Sequence, residues 1–245
     1  MNRDDALLPL VRRLERHVKL SAPDRAALLA APHSVRQLDR AAHIIREGDR
    51  ADRCVVLLSG FACRYKLVGE GGRQIVSIHM PGDPIDLQNI FLDVSDHNIQ
   101  TLTVATVATI GRDAVSALIA AAPMVGRAMW IDTMIEASVH REWVANVGRR
   151  DARTRITHLL CELAIRQRGA GIADDGSYQL PLTQEQLADA TGLTAVHVNR
   201  VLRSLTAEKM IERRKWAFSI NNWENLAREG DFSARYLHPT QNEIG

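Results

Sequence analysis

The sequence predicts an α+β chain with a strand-rich front, a long helix in the middle and a helical rear that ends in a two-stranded ribbon. Three observations support this fold class. Short alternating apolar runs broken by glycines fill roughly residues 36–110 and indicate strands. An apolar pattern of helical period follows Pro123 for more than twenty residues without another proline. Two short capped helical patterns then meet at Gly192.

Composition places the chain among ordinary globular proteins. Its 245 residues are 46% hydrophobic and 24% charged, enough for one large or two ordinary domains with a real core. No run approaches the roughly 18 apolar residues that a membrane helix needs. The stretch "MNRDDALLPLVRRLERH" carries charges where a signal peptide has its apolar core. We therefore expect a cytoplasmic protein without a membrane partner.

The cysteines do not form a recognisable framework. Cys54, Cys63 and Cys161 are odd in number and lack CxxC spacing, which argues against disulfides and against a zinc knot. Cys54 and Cys63 lie in neighbouring strand patterns and could be redox-active, although buried structural thiols are commoner in apolar strands. Cys161 sits on an apolar helical face and is expected in the core.

The strand-rich front predicts a small antiparallel barrel or roll. Its strand patterns are "RAAHIIREGD", "CVVLLSGFACRYKLVGEGGRQIVSIHMPGD" and "IQTLTVATVATIG". Before them, "LSAPDRAALLA" predicts a helix that begins at a Ser or Asp cap.

The long helix is predicted from "APMVGRAMWIDTMIEASVHREWVANVG". Small and apolar residues recur along it at spacings of four, three, four and three, which is the seam of a two-helix coiled coil. The pattern predicts a dimer interface; the alternative is a helix packed on its own roll. The predicted interface residues are Met124, Ala128, Ile131, Ile135 and Ser138.

The stretch "LTQEQLADATGLTAVHVNRVLRSL" predicts a helix-turn-helix. Thr183 caps the first helix, with Gln186 completing a capping box, and Thr194 caps the second. Gly192 supplies the left-handed residue between them, and Ala188 is small where the helices cross. The buried side of the second helix is predicted to hold Val198, Val201, Leu202 and Leu205. After it, "MIERRKWAFSINN" predicts a two-stranded ribbon, and the tail from Glu229 is expected to be irregular.

The local charge of this region indicates DNA. From Thr194 to Trp216 there are six Lys or Arg against two Glu, a balance of +4 in a chain whose net charge is +2. Such a stretch suits the phosphate backbone, whereas an inert helical hairpin would not need it. The predicted base contacts are Val196, His197, Asn199 and Arg200, with Arg200 able to reach guanine O6 and N7. The predicted phosphate contacts are Thr183, Thr194, Arg203, Arg213, Arg214 and Lys215.

Two parts of the chain resemble one protein family. "LPLTQEQLADATGLTAVHVNRVLRSL" with "MIERRKWAFSINNWENLA" resembles the winged helix of the Crp/Fnr family of bacterial transcription regulators. "IIREGDRADRCVVLLSGFACRYKL" and "HMPGDPIDLQNIF" are similar to its cyclic-nucleotide-binding-type roll. The resemblance spans about residues 20–228. It implies a homodimeric regulator without enzymatic activity, a palindromic DNA site, and RNA polymerase as a further partner.

The expected domains follow from this resemblance. They are a sensor region of N-terminal helices and roll (1–118), a dimerisation helix (119–148), a winged helix-turn-helix (149–228) and an irregular tail (229–245).

The sensor region departs from the family at its ligand positions. Cyclic-nucleotide-binding members carry a Gly-Glu pair where this chain has Asp86 and Leu87, and an Arg-Ser pair near Ile99 and Gln100. No Lys or Arg lies between residues 73 and 112. A buried phosphate without a cation is strongly disfavoured, so we expect no tight binding of cyclic AMP. An iron-sulfur cluster is not expected either, because no cysteine precedes Cys54.

The recognition helix also differs from that of cyclic-AMP-responsive members. They present arginine and glutamate where Ala195 and Val196 stand, whereas the arginine at Arg200 matches. The resemblance therefore implies a shared guanine contact within a different flanking sequence.

The sequence does not identify the effector, and it leaves other functions as alternatives. A possible effector pocket is formed by His79, Asp86, Gln88 and His97. A metal or haem could use His79 and His97 with Asp83, Asp86, Asp93 or Asp96, but the nine histidines lack ligand spacing and are better read as satisfied surface or turn residues. We predict no catalytic and no metal site. An enzyme on a cupin-like roll would need clustered histidines and a carboxylate, and a regulator that needs no ligand is a third possibility.

Overall fold

The structure is a computed structural model that describes residues 5–69, 71–173 and 176–239. The chain divides into two compact units. The first comprises Met1–Lys66 and Ser77–Glu136, and the second comprises Leu67–Val76 and Ala137–Gly245. The long helix is therefore shared between the units, which divide at residues 136 and 137. The domain boundaries expected at 118/119, 148/149 and 228/229 stay predictions.

The roll is built from two antiparallel four-stranded sheets, with strand orders β1-β8-β3-β6 and β2-β7-β4-β5. Aliphatic side chains such as Val55, Leu57, Ile99 and Val107 fill the space between them and are almost fully buried. The predicted antiparallel roll is thus confirmed. The last of the predicted strand patterns, "IQTLTVATVATIG", contains two strands. The strands are β1 (His33–Leu38), β2 (His43–Ile45), β3 (Arg53–Ser59), β4 (Ala62–Val68), β5 (Gly72–His79), β6 (Pro84–Ile85), β7 (Asn98–Thr101) and β8 (Ala105–Gly111).

Helices cover the outer face of the roll and form a second core of the first unit. They are α1 (Leu8–Glu15), α2 (Ala22–Leu29), α3 (Arg112–Ala121) and the beginning of α4 (Pro123–Arg149). Ser21 and Asp24 form the capping box that starts α2, which confirms the predicted cap. Leu10, Leu14 and Leu28 are at most 1% exposed here, and each such side chain contributes about 1.5–3 kcal/mol on burial.

The predicted seam of α4 needs correction. Ala128 is 1% exposed within the helical core, and Ile131 packs against the same core. Ile135 and Ser138 are also buried, whereas Met124 is 37% exposed. A side chain that is already packed inside its own protomer has little surface left for a partner. The residues at the predicted spacing of four and three do lie on one side of α4, but most of them pack against the chain's own core.

The exposed side of α4 carries a different set of apolar residues. Trp130 is 61% exposed, Met134 44% and Val144 74%. Ala137 and Arg141 lie between Met134 and Val144. Together the five residues recur along the helix at spacings of four, three, four and three. We call Trp130, Met134, Ala137, Arg141 and Val144 the exposed stripe of α4; Ala137 is half-buried, and the other four residues are exposed at heptad spacing.

The second unit continues from the rest of α4. It contains helices α5 (Ala152–Gly169), α6 (Gln184–Thr191), α7 (Ala195–Ala207) and α8 (Trp223–Glu229), and a sheet of order β10-β11-β9 formed by β9 (Ser177–Gln179), β10 (Ile211–Arg214) and β11 (Ala217–Ile220). The predicted ribbon is confirmed as β10 and β11. Strand β9 adds to this ribbon by pairing with β11, and Tyr178 packs its ring 5.4 Å from that of Phe218.

The described helices include no single one that is long and apolar enough to cross a bilayer. Only α3 and α4 taken together, across a bend of 118°, pass the test of length and composition.

The described part of the tail is ordered, contrary to the expectation of an irregular segment. Residues Ala234–Leu237 form a turn of 3-10 helix, and Leu237 is 7% exposed. The hydroxyl of Tyr236 donates a 2.9 Å hydrogen bond to Glu162, a fully buried carboxylate of α5. Glu162 also accepts from the indole N–H of Trp143 at 3.0 Å and from Arg166 at 3.2 Å. The described part of the tail is therefore held in place by a hydrogen bond to a buried carboxylate. Residues 240–245 lie outside the described residues.

Tyr236→Phe should lower the free energy of unfolding by about 1.5–3 kcal/mol, because a buried carboxylate loses a charge-assisted hydrogen bond. Tyr178→Phe is the matched control: its hydroxyl accepts from the exposed Arg168, so its loss should cost under about 1 kcal/mol. Urea unfolding of the full chain, followed by circular dichroism, measures both. If the two variants lost the same free energy of unfolding, the hydrogen bond from Tyr236 to Glu162 would have no special role in stability, and the inference about the tail would be wrong.

Candidate nucleic-acid interface

Helix α6 begins and ends as its sequence predicts. The hydroxyl of Thr183 accepts from the backbone N–H of Gln186 at 3.1 Å, and the Gln186 side chain accepts from the N–H of Thr183 at 3.0 Å. At the other end Gly192 adopts φ 64° and ψ 39°, and Ala188 is buried with its carbonyl accepting from the N–H of Leu193. Capping box and left-handed end are both confirmed, and they fix the direction in which the chain leaves α6.

An arginine of α5 completes this turn. Arg155 donates from Nη1 to the carbonyl oxygens of Thr191 at 3.1 Å and Gly192 at 3.4 Å. A Cβ at Gly192 would lie 3.1 Å from a methyl of Val147. The turn is thus held by a cation on its free carbonyls and is closely packed on one side. Sequence patterns gave no indication of Arg155, because its partners are 36 and 37 residues away.

Helix α7 starts at the predicted cap and buries the predicted face. The Thr194 hydroxyl accepts from the backbone N–H of His197 at 3.3 Å. Val198, Leu202 and Leu205 are fully buried, and Val201 is half-buried. Arg153 of α5 holds the far end of α7 by ion pairing with Glu208 at 2.6 Å. One side of α7 is therefore committed to the core of the second unit.

The opposite side of α7 presents the residues predicted to touch bases. Val196 is 70% exposed, His197 and Arg200 are exposed, and Asn199 is half-buried. Arg203, predicted as a phosphate contact, is exposed one turn further on. A surface depression is lined by Gln184, Ala195, Val196, Asn199, Arg200 and Arg203. Hydrogen-bond donors, an amide and methyl groups thus lie side by side on this surface, and these are the groups that recognise base edges in the major groove.

The ribbon carries the remaining predicted phosphate contacts. Arg213 and Arg214 end β10, Lys215 follows in the turn, and all three are exposed. Thr183 and Thr194 use their oxygens as caps, and the Thr194 hydroxyl also lies 3.4 Å from Nδ1 of His197. The basic side chains of the ribbon are therefore exposed, as a contact with phosphates would require. Their contacts with DNA stay predictions.

In the roll, three of the four residues of the expected effector pocket meet. Asp86 is fully buried, and its Oδ1 lies 2.9 Å from both the Gln88 amide nitrogen and His97 Nε2. His79 Nδ1 lies 3.8 Å from the carboxylate of Asp83. Asp86 also adopts the left-handed φ of 61°, which is uncommon for a residue with a side chain.

Sequence reasoning missed the cation of this cluster. Arg64 of β4 donates to Asp86 at 2.9 Å and to Glu136 of α4 at 2.5 Å, and its side chain is 7% exposed. Burial opposes its charge, but the carboxylates of Glu136 and Asp86 outweigh burial and raise its pKa above the ordinary value. Sequence patterns do not indicate Arg64, because it lies 22 positions before Asp86 and 72 positions before Glu136.

All three cysteines are buried. Burial, reinforced by the nearby Asp86 carboxylate, raises the pKa of the Cys54 thiol to about 12. Burial alone raises the pKa of Cys161 to about 12. Both thiols therefore stay protonated near neutral pH, which removes the nucleophilic form that redox chemistry needs. Within the described residues, no three His, Cys, Asp or Glu side chains gather as a group that could hold a metal ion.

Two capped helices joined by a left-handed turn and followed by a basic ribbon define a winged helix-turn-helix, a class of DNA-binding domain. The family model of the "Crp-like helix-turn-helix domain" matches residues 154–229. The model of the "cyclic nucleotide-binding domain" matches residues 35–122.

Curated relatives are transcription regulators. The chain is 28% identical over 174 residues to the transcriptional activator protein FnrL of Cereibacter sphaeroides, covering 69% of this chain and 68% of that protein. It is 29% identical over 193 residues to the nitrogen fixation regulation protein FixK of Rhizobium meliloti, covering 77% and 82%. It is 27% identical over 223 residues to the probable transcriptional regulator flp of Lacticaseibacillus casei, covering 90% and 95%.

Solved structures show the same fold. FixK2 from Bradyrhizobium japonicum superposes with a TM-score of 0.75 at 22% identity, over 83% of this chain and 100% of that chain. Domain content and relatives agree: the chain is a DNA-binding transcription regulator of the Crp/Fnr family, not an enzyme.

Arg200→Ala should weaken binding to the preferred DNA site by about 1–3 kcal/mol and relax the choice of one base, because a fork of two donors to guanine is lost. Lys215→Ala should weaken binding to all sequences similarly and reduce the salt slope by about 1. Titration of specific and random duplexes at several salt concentrations measures both effects. Equal losses on both duplexes for both variants would contradict these roles.

Proposed function

We propose that this regulator acts as a homodimer on a palindromic DNA site, with one α7 helix in each half-site. The observation that carries the proposal is the exposed face of α7. Val196, His197, Asn199 and Arg200 lie on it within about one and a half turns, with Asn199 half-buried and the other three exposed. Two such helices fit major grooves about 34 Å apart on one side of the duplex.

The side chains of α7 divide between two kinds of contact. Arg200 offers a planar fork for guanine, Val196 offers methyls for thymine, and Asn199 and His197 offer hydrogen bonds to base edges. Arg203 and the ribbon cations Arg213, Arg214 and Lys215 supply charge for the phosphates, which sets register and affinity without reading sequence. Because Ala195 and Val196 are small and apolar, the flanking bases should differ from those read by an arginine and a glutamate.

The exposed stripe of α4 supports the homodimer. Large apolar side chains on a helix surface at heptad spacing are typical of helix pairing, and exposed clusters of this kind mark interaction sites. Trp130 gives the largest apolar area of the stripe and is the expected anchor, since Trp is enriched among the residues that dominate interface energies. The dimer thus uses a side of α4 adjacent to the one predicted from sequence.

The residues of the roll do not fit a cyclic nucleotide. Asp86 places a buried carboxylate where the family's nucleotide-binding members have the Gly-Glu pair, and Arg64 already pairs with Asp86 and Glu136. At the other ligand positions Ile99 is buried and the Gln100 side chain donates to the carbonyl of Ala41 at 2.9 Å. A cyclic phosphate would meet a negative charge and a cation that is already neutralised. We infer that the roll responds to another signal or to none, and that the regulator works in the cytoplasm with RNA polymerase.

Purified wild-type protein should bind a subset of genomic DNA fragments at fixed salt without any nucleotide, and cyclic AMP should leave both the affinity and the choice of fragments unchanged. A filter-binding or gel-shift titration with and without cyclic AMP measures this. Selective binding that requires the nucleotide would mean that Arg64 or another cation is released for the phosphate, and the account of the roll would be wrong.

Trp130→Glu should weaken the dimer by about thirtyfold or more, because a charge replaces the largest apolar side chain of the interface. Phe91→Glu is the matched control: Phe91 is 75% exposed on a loop outside α4, so its replacement should leave the dimer intact. Sedimentation velocity over a concentration series measures the dissociation constant. A wild-type protein that stays monomeric, or equal loss in both variants, would contradict the proposed interface.

A further inference from the structure

The first residue of α6 contacts the recognition face of α7. Gln184 and Asn199 are 15 residues apart in sequence, yet the Nδ2–H of Asn199 donates to Oε1 of Gln184 at 3.0 Å. Both side chains are half-buried, and both line the depression that also contains Arg200. No other side chain predicted to touch a base is hydrogen-bonded to α6 among the contacts of the described residues.

This contact determines which groups Asn199 can offer to DNA. A primary amide has two N–H donors and one carbonyl acceptor. With one N–H given to Gln184, Asn199 retains one N–H and its carbonyl oxygen. A donor beside an acceptor is the complement of adenine in the major groove, which presents the N7 acceptor next to the N6–H donor.

The contact also restricts the side chain before DNA arrives. A free asparagine can rotate its amide and exchange the positions of oxygen and nitrogen, which would suit different bases. Fixing a side chain in the bound geometry removes the ordering cost from binding. With the Gln184 amide placed as it is, its carbonyl oxygen accepts from the amide nitrogen of Asn199 at 3.0 Å, and this contact holds Asn199 in one of its two amide orientations.

We propose that Gln184 is a positioning residue for base recognition: it orients Asn199 so that Asn199 reads an adenine in each half-site. This inference rests on the proposed function, because it requires α7 to enter the major groove. It adds a specificity determinant that lies outside the recognition helix, on the first turn of α6.

The test is selection from a DNA pool with randomised half-sites at fixed salt, applied to the full-length wild type and to variants. Asn199→Ala and Gln184→Ala should each lose the preference for adenine at the same position, by about fivefold to a hundredfold, and the double variant should lose no more than Asn199→Ala alone. Gln184→Glu keeps an acceptor oxygen and should retain the adenine preference, while its added charge weakens binding to all sequences. Glu185→Ala, a change at the exposed neighbouring position, is the control and should retain the preference.

The outcomes separate the positioning role from simpler ones. If Gln184 only touched a phosphate, Gln184→Ala would weaken all sequences equally and keep every base preference, which would overturn the inference. Loss of preference at a position different from that affected by Asn199→Ala would overturn it as well. Absence of any sequence preference in the wild type would instead overturn the proposed function.

Discussion

The left-handed turn at Gly192 determines where and in which direction the recognition helix begins. Its φ of 64° is one that a residue with a side chain seldom adopts, and Val147 lies where a Cβ would point. Arg155 binds the two carbonyls that the turn leaves free, and Thr194 caps α7 two residues later. The exposed face of α7, the contact between Gln184 and Asn199, and the depression they share all follow from this turn.

Charge is used differently in the roll and in the winged helix. At the roll, the buried Arg64 pairs with both Asp86 and Glu136, so an anionic ligand finds no unpaired cation in that cluster. On the winged helix, Arg200, Arg203 and the cations of the ribbon stand exposed, where a polyanion can bind them. In a chain with a net charge of only +2, the stretch from Thr194 to Trp216 alone carries six Lys or Arg against two Glu.

Features with local causes were predicted well from sequence. The caps at Thr183 and Thr194, the glycine at 192 and the ribbon of β10 and β11 depend on residues within a few positions of each other. Features set by distant partners were missed: Arg64 pairs with residues 22 and 72 positions away, and Tyr236 meets Glu162 across 74 positions. The seam of α4 shows a third case, because heptad spacing reveals a packed face without saying whether the packing partner is the chain itself.

The central claim is that two α7 helices of a dimer enter successive major grooves of one DNA site. A hydroxyl-radical footprint of the wild-type protein on a tightly bound fragment tests it most directly. The account predicts two protected stretches on the same face of the duplex with centres about 10 base pairs apart. A single protected stretch, or weak protection spread evenly along the fragment, would contradict it.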